Sequence, residues 1–66
     1  MKVKLSKEGA TSYFGTLECL GHIFEARIVE EYFAISGTDL VSAGGCATLL
    51  DIDSIYLFEA SEVELL

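Results

Sequence analysis

The chain has 66 residues, 52% of them hydrophobic, and a formal net charge of −7. That length allows one domain, residues 1–66, with a core too small to hide so much apolar material, and it leaves self-association or a protein partner as the natural outlet. No apolar run reaches the roughly 18 residues of a membrane span, and the carboxylate excess argues against nucleic acid and acidic membranes as ligands.

Lys2 to Ser6 alternates basic and apolar residues, which predicts a first strand with Val3 and Leu5 facing inward and lysines guarding a sheet edge. No apolar core follows these lysines, so no secretory leader is expected, and the two cysteines then read as reduced thiols in a cytoplasmic protein. Lys7 to Ala10 reads as a loop. Tyr13 to Val29 reads as a hairpin folded at Gly21-His22, because glycine accepts the positive φ that a two-residue turn demands. In that register Tyr13, Gly15, Leu17, Cys19, Phe24, Ala26 and Ile28 share the core face, and Glu18 opposes Glu25.

The alternation slips after Val29. A turn or bulge at Glu30-Glu31 restores the phase and returns Phe33 and Ile35 to the side of Ile28 and Ala26. The rival reading is a helix near residues 23–36, with Arg27, Glu30, Glu31 and Ala34 as its polar stripe. The β-branched and aromatic content, and the lack of a capping residue before Ile23, favour strands. Ser36 to Asp39 is turn chemistry, with Thr38 or Asp39 as the cap of one helical turn over 40–43 that Gly44-Gly45 ends. Cys46 to Ile52 reads as a short buried strand, and Asp51, Asp53 and Ser54 as a connection. Ile55 to Ala60 is apolar on both sides, as a central or interface strand would be. Ser61 to Leu66 alternates again. The sequence shows no proline and no evident repeat. The expected fold is mainly β: a small twisted antiparallel sheet, or an SH3-like or OB-like barrel, of five or six short strands with one short helix. The alternative is α+β.

No constellation carries catalysis, so an enzyme is not expected. Cys19-x-x-His22 is half of a zinc pattern and lacks its second half. Asp51-x-Asp53 with Glu62 fails as a calcium loop, because Ile55 and Tyr56 stand where a ligand and a glycine belong. Cys46 after two glycines lacks a base or positive neighbour to make thiolate. The tyrosines have no basic groove beside them, as binders of single-stranded nucleic acid do. No metal or cofactor is expected.

What remains is acid and apolar surface. From Ile28 onward there are eight acids and no lysine or arginine. In size and charge alone the chain resembles small phage-encoded inhibitors of host defence, which set carboxylates where a basic groove expects phosphates. The leading expectation is a non-enzymatic protein that binds a basic partner stoichiometrically, through Glu30, Glu31, Glu62 and Glu64. The alternative is a homo-oligomeric assembly module, a dimer joined through Leu57, Phe58, Val63, Leu65 and Leu66. Substituting Gly21→Val is expected to cost about 1–2 kcal/mol, as strained backbone does, and the drop in thermal midpoint measures it.

Overall fold

The structure, a computed structural model, describes all 66 residues. It is mainly β, with six short strands in two three-stranded antiparallel sheets. The order along the chain is β1 (Lys2–Leu5), α1 (Lys7–Ser12), a 3₁₀ turn (Leu17–Cys19), β2 (Ile23–Glu25), β3 (Arg27–Val29), β4 (Tyr32–Ser36), α2 (Gly37–Ser42), β5 (Ile55–Phe58), a second 3₁₀ turn (Ala60–Glu62) and β6 (Val63–Leu65). The first sheet runs β2-β1-β6 and the second β3-β4-β5.

One core lies between the sheets. It takes Val3, Leu5, Phe24 and Val63 from the first, and Ile35 and Phe58 from the second. Ala10 and Leu40 enter it from the helices, and Cys19 and Leu50 from the connections. In the first sheet β1 and β2 show the period of two that a half-buried strand requires. Across the outer face of the first sheet Lys2 stands opposite Glu25 and Lys4 opposite Glu64. Beneath them Val3 pairs with Phe24, and Leu5 with Val63.

The lysine-bearing strand β1 is therefore central, not an edge; its lysines are matched by carboxylates on both neighbours. β5, expected to be central or at an interface, is an edge strand of the second sheet.

The Glu30-Glu31 turn is present, and β3 and β4 pair across it with Val29 opposite Tyr32 and Ile28 opposite Phe33. Residues 23–36 are thus strands and not a helix. Glu30 carries the left-handed φ of +57° that this tight loop needs, at a cost of about 1–2 kcal/mol for a residue with a Cβ.

The hairpin at Gly21-His22 is absent, although Gly21 does hold a positive φ of +85°. Two local features divert the chain before it can run as a strand. Gly15 sits at φ +94°, and the buried Thr16 hydroxyl, Oγ1, donates to the carbonyl oxygens of Ala10 at 2.7 Å and Tyr13 at 3.1 Å. Residues 17–19 then coil into a 3₁₀ turn that buries Cys19 and exposes Leu17. Glu18 and Glu25 do not pair; Glu25 lies across from Lys2 instead.

Residues 7–12 are helix rather than loop because Ser6 caps them, accepting the Gly9 N–H at 3.2 Å. Ser36, not Thr38 or Asp39, caps α2 through the Asp39 N–H at 3.1 Å. Such a cap is worth about 1 kcal/mol. Gly44, at φ +108°, follows the helix end. The strand expected over 46–52 is a pair of turns instead. The Leu49 and Leu50 N–H groups both donate to the Cys46 carbonyl, and only Leu50 of that stretch is buried.

The same unit occurs twice. Each half runs strand, capped helix, turn, strand, strand, and the two sheets match if β1, β2 and β3 are read as β4, β5 and β6. Each half gives its third strand to the other half's sheet. Val3 corresponds to Phe33, Phe24 to Phe58 and Ile28 to Leu65 by register. The Ser6 and Ser36 caps correspond as well. Phe58 is fully buried where both sheets meet the core. Phe58→Ala is expected to cost about 3–5 kcal/mol, most of the stability a domain of this size holds, and chemical denaturation measures it.

Candidate functional site: an acid-rimmed tyrosine cleft

At the end of α1 the chain passes through Tyr13 towards β5. The Tyr13 ring meets Tyr56 edge-on at 5.1 Å and Phe58 at 5.3 Å between centroids, the geometry that ring quadrupoles prefer. Its phenol donates to the Leu57 carbonyl at 2.7 Å and accepts the Leu57 N–H at 3.3 Å. Leu57 lies opposite Ala34 in the ladder, and its own backbone groups face the open edge of the sheet. One hydroxyl thus satisfies both.

Tyr13, Tyr32 and Leu57 make the aromatic and apolar part of an open cleft of about 380 Å³, completed by Ser12, Glu59 and Glu62. The Glu30-Glu31 turn immediately precedes Tyr32 in the chain, and both of its carboxylate residues are exposed. Glu62 Oε1 accepts the Glu59 N–H at 2.7 Å, which fixes that carboxylate beside the cleft. No lysine or arginine lines it. Tyrosine faces and unpaired carboxylates together attract a lysine or arginine side chain, by cation–π and direct charge.

Of the expected partner-binding residues, Glu62 lines this cleft, Glu30 and Glu31 are exposed at the turn between β3 and β4, and Glu64 stands on the first sheet opposite Lys4. Of the expected self-association residues, Leu57, Leu65 and Leu66 are exposed, but Phe58 and Val63 are buried in their own chain and have no surface left to give a second copy. Tyr13 and Tyr32 were not singled out from sequence as binding residues. Their signal was present only as two tyrosines in a chain poor in cations.

The cysteines differ. Cys19 is buried, its Sγ 3.3 Å from the Leu40 carbonyl, and burial pushes its thiol up. Cys46 is exposed, and the hydrogen bond with Thr48 Oγ1 at 3.0 Å draws its thiol down. No three His, Cys, Asp or Glu side chains converge as a metal site would require. No helix is long and apolar enough to cross a membrane. Neither a protein-family model, nor a curated protein, nor a solved structure matches the chain.

The only ion pairs are made by Glu25, whose carboxylate meets Lys2 Nζ and the amino terminus, each at 3.3 Å. The Lys2 hydrogen bond, followed by that of the amino terminus, holds the Glu25 carboxyl below its ordinary range. A depressed carboxyl stabilises the fold above its unfolded-state pKa, and that contribution is lost as pH falls through the folded-state value. Glu25→Gln is therefore expected to lower the melting midpoint at neutral pH and to converge with the unsubstituted chain only as pH falls below the ordinary carboxylate range; melting curves from neutral to acid pH check it.

Proposed function

We propose that this protein is a non-enzymatic, cytoplasmic binding protein that docks stoichiometrically on a basic surface of a protein partner. The observation that carries this reading is the imbalance of the surface. The chain has eleven Asp and Glu, and only Glu25 has a cationic partner. Carboxylates with no cationic partner repel one another, which costs a folded protein of this size some stability. Where two of them, Glu59 and Glu62, line a cleft with two tyrosines and an exposed leucine, the arrangement suits a protruding lysine or arginine of the partner, which the aromatic faces and the acids desolvate together. Carboxylates so placed occupy the position that phosphates take in a nucleic-acid complex, and an inhibitor of a nucleic-acid-binding protein is the concrete form this reading takes.

A second reading rests on a separate observation. Leu65 and Leu66 are 61% and 64% exposed and Ile28 is 59% exposed. These residues border sheet edges, and a homodimer would cover them.

A partner captured from host lysate separates the two. Under the docking reading, affinity falls steeply between about 0.1 M and 0.5 M salt, as screened opposite charges require. The Glu30→Lys/Glu31→Lys variant slows association at least tenfold, Tyr32→Ala speeds dissociation, and nucleic acid competes. An affinity that is flat with salt, unmoved by these variants and lost in Leu65→Asp, would replace docking with the apolar module; sedimentation of the isolated chain as a dimer would point the same way.

A further inference from the structure

The tyrosine cleft has a counterpart. Under the correspondence of the two halves, Ser12 becomes Ser42, Tyr13 becomes Ala43, Leu57 becomes Ile23 and Glu59 becomes Glu25. A second open cleft lies at that place, lined by Ile23, Phe24, Glu25, Asp39, Ser42 and Ala43. The two differ in one respect that matters for binding. At the first, the Tyr13 phenol covers both outward backbone groups of Leu57. At the second, alanine stands in place of tyrosine and nothing covers the equivalent groups.

The direction of those groups follows from the ladder. Leu66 N–H donates to the Lys2 carbonyl at 3.1 Å, and Ala26 N–H donates to the Met1 carbonyl at 2.8 Å. Even-numbered residues of β1 therefore bond towards β6 and odd-numbered ones towards β2. Val3 and Phe24 form a bonded pair, whereas Ile23 and Glu25, opposite Lys4 and Lys2, turn their N–H and C=O away from the sheet. No side chain or loop bonds to the backbone of Ile23 or Glu25 from that side. An edge strand left in this condition, beside an exposed isoleucine and an open groove, is a template for one more strand.

The charge of the groove selects the occupant. Its two ionisable groups are Glu25 and Asp39, both carboxylates. Asp39 has no ion pair, and Glu25 has the only ones in the molecule, on the side of β1. The inner neighbour of β2 shows what this strand pairs with: Lys2, Val3 and Lys4 lie opposite Glu25, Phe24 and Ile23, with the lysines on the outer face. We infer that the open edge of β2 binds an extended basic segment of a protein partner, with lysine or arginine at alternate positions, by adding it to the first sheet as a fourth strand. This surface lies apart from the Tyr13–Tyr32 cleft, and the two share only the basic character of what they bind.

The test uses the intact chain labelled with ¹⁵N and an acetylated, amidated Lys-Val-Lys-Val-Lys-Val peptide. Two control peptides accompany it: one with Glu in place of Lys, and one N-methylated at alternate backbone amides, which keeps the side chains and charge but cannot complete a ladder. The expected result is that amide shifts and slowed exchange concentrate at Ile23 and Glu25, with binding at least tenfold weaker for both controls. Asp39→Lys, at an exposed position whose carboxylate makes no hydrogen bond, weakens binding by a similar factor with core resonances such as Val3 and Phe58 unmoved. Shifts absent from Ile23 and Glu25, or binding that survives N-methylation, would overturn the proposal. So would protection of those two amides that rises with protein concentration alone, since a second copy would then own the edge. Tyr32→Ala reports on the tyrosine cleft independently, so loss of one surface is distinguishable from loss of the other.

Discussion

Each sheet in this protein draws strands from both halves of the chain. β1 is flanked by β2 from its own half and β6 from the far end of the chain, and β4 by β5 and by β3 from the first half. The constraint behind this is size. A three-stranded sheet of three to five residues per strand has one apolar face and nothing of its own to cover it, and a 66-residue chain has too little mass for two cores. Exchanging third strands places the two apolar faces against each other and ties them covalently. The link is Ala26, the single residue between β2 and β3, buried and bonded by its N–H to Met1. Phe24 before it and Phe58 at the corresponding place then fill the space between the sheets. The helices, their serine caps and the two clefts all follow from where this exchange puts the strand ends.

Much of this was legible in the sequence, and the failures have definite causes. Strands β1 and β6 announced themselves by alternation, and β3, β4 and β5 by their β-branched and aromatic content. The Glu30-Glu31 turn was legible because without it Phe33 would have faced water. The stretch from Tyr13 to Leu20 misled because its apolar residues also alternate, while the features that bend it are a single positive φ at Gly15 and a threonine hydroxyl bonded to backbone it could not be known to meet. Cys46 to Ile52 misled by its apolar content, of which only Leu50 is buried. The internal correspondence was hidden because its spacing drifts, from thirty positions between Val3 and Phe33, to thirty-four between Phe24 and Phe58, to thirty-seven between Ile28 and Leu65. No fixed period survives, and few of the matched residues are identical.

The candidate sites divide along the same line. Glu30 and Glu31 were legible as an exposed acidic turn, a local property. That Glu59 and Glu62 share a cleft with Tyr13 and Tyr32 depends on contacts across more than forty positions and on no local signal. The apolar tail was misread in part: Phe58 and Val63 look like neighbouring leucines in composition, but the pleat sends them inward and Leu57 and Leu65 outward.

The exchange of third strands also sets the order in which the fold can be completed. β1 pairs with β6 through Val3 and Leu65, Lys4 and Glu64, and Leu5 and Val63, so one side of the first sheet is closed by residues synthesised some sixty positions after β1. Until they emerge, β1 has a bare edge and Val3 and Leu5 lack part of their cover. Contacts between residues so distant in sequence must meet the loop-closure cost before any of them stabilises the chain. A protein this small would ordinarily be a candidate for microsecond folding; its connectivity places it with the slower, non-local β topologies. The nascent chain therefore passes through a state with an open strand edge and exposed aliphatic side chains. In that state the net charge of −7 opposes the approach of one incomplete copy to another.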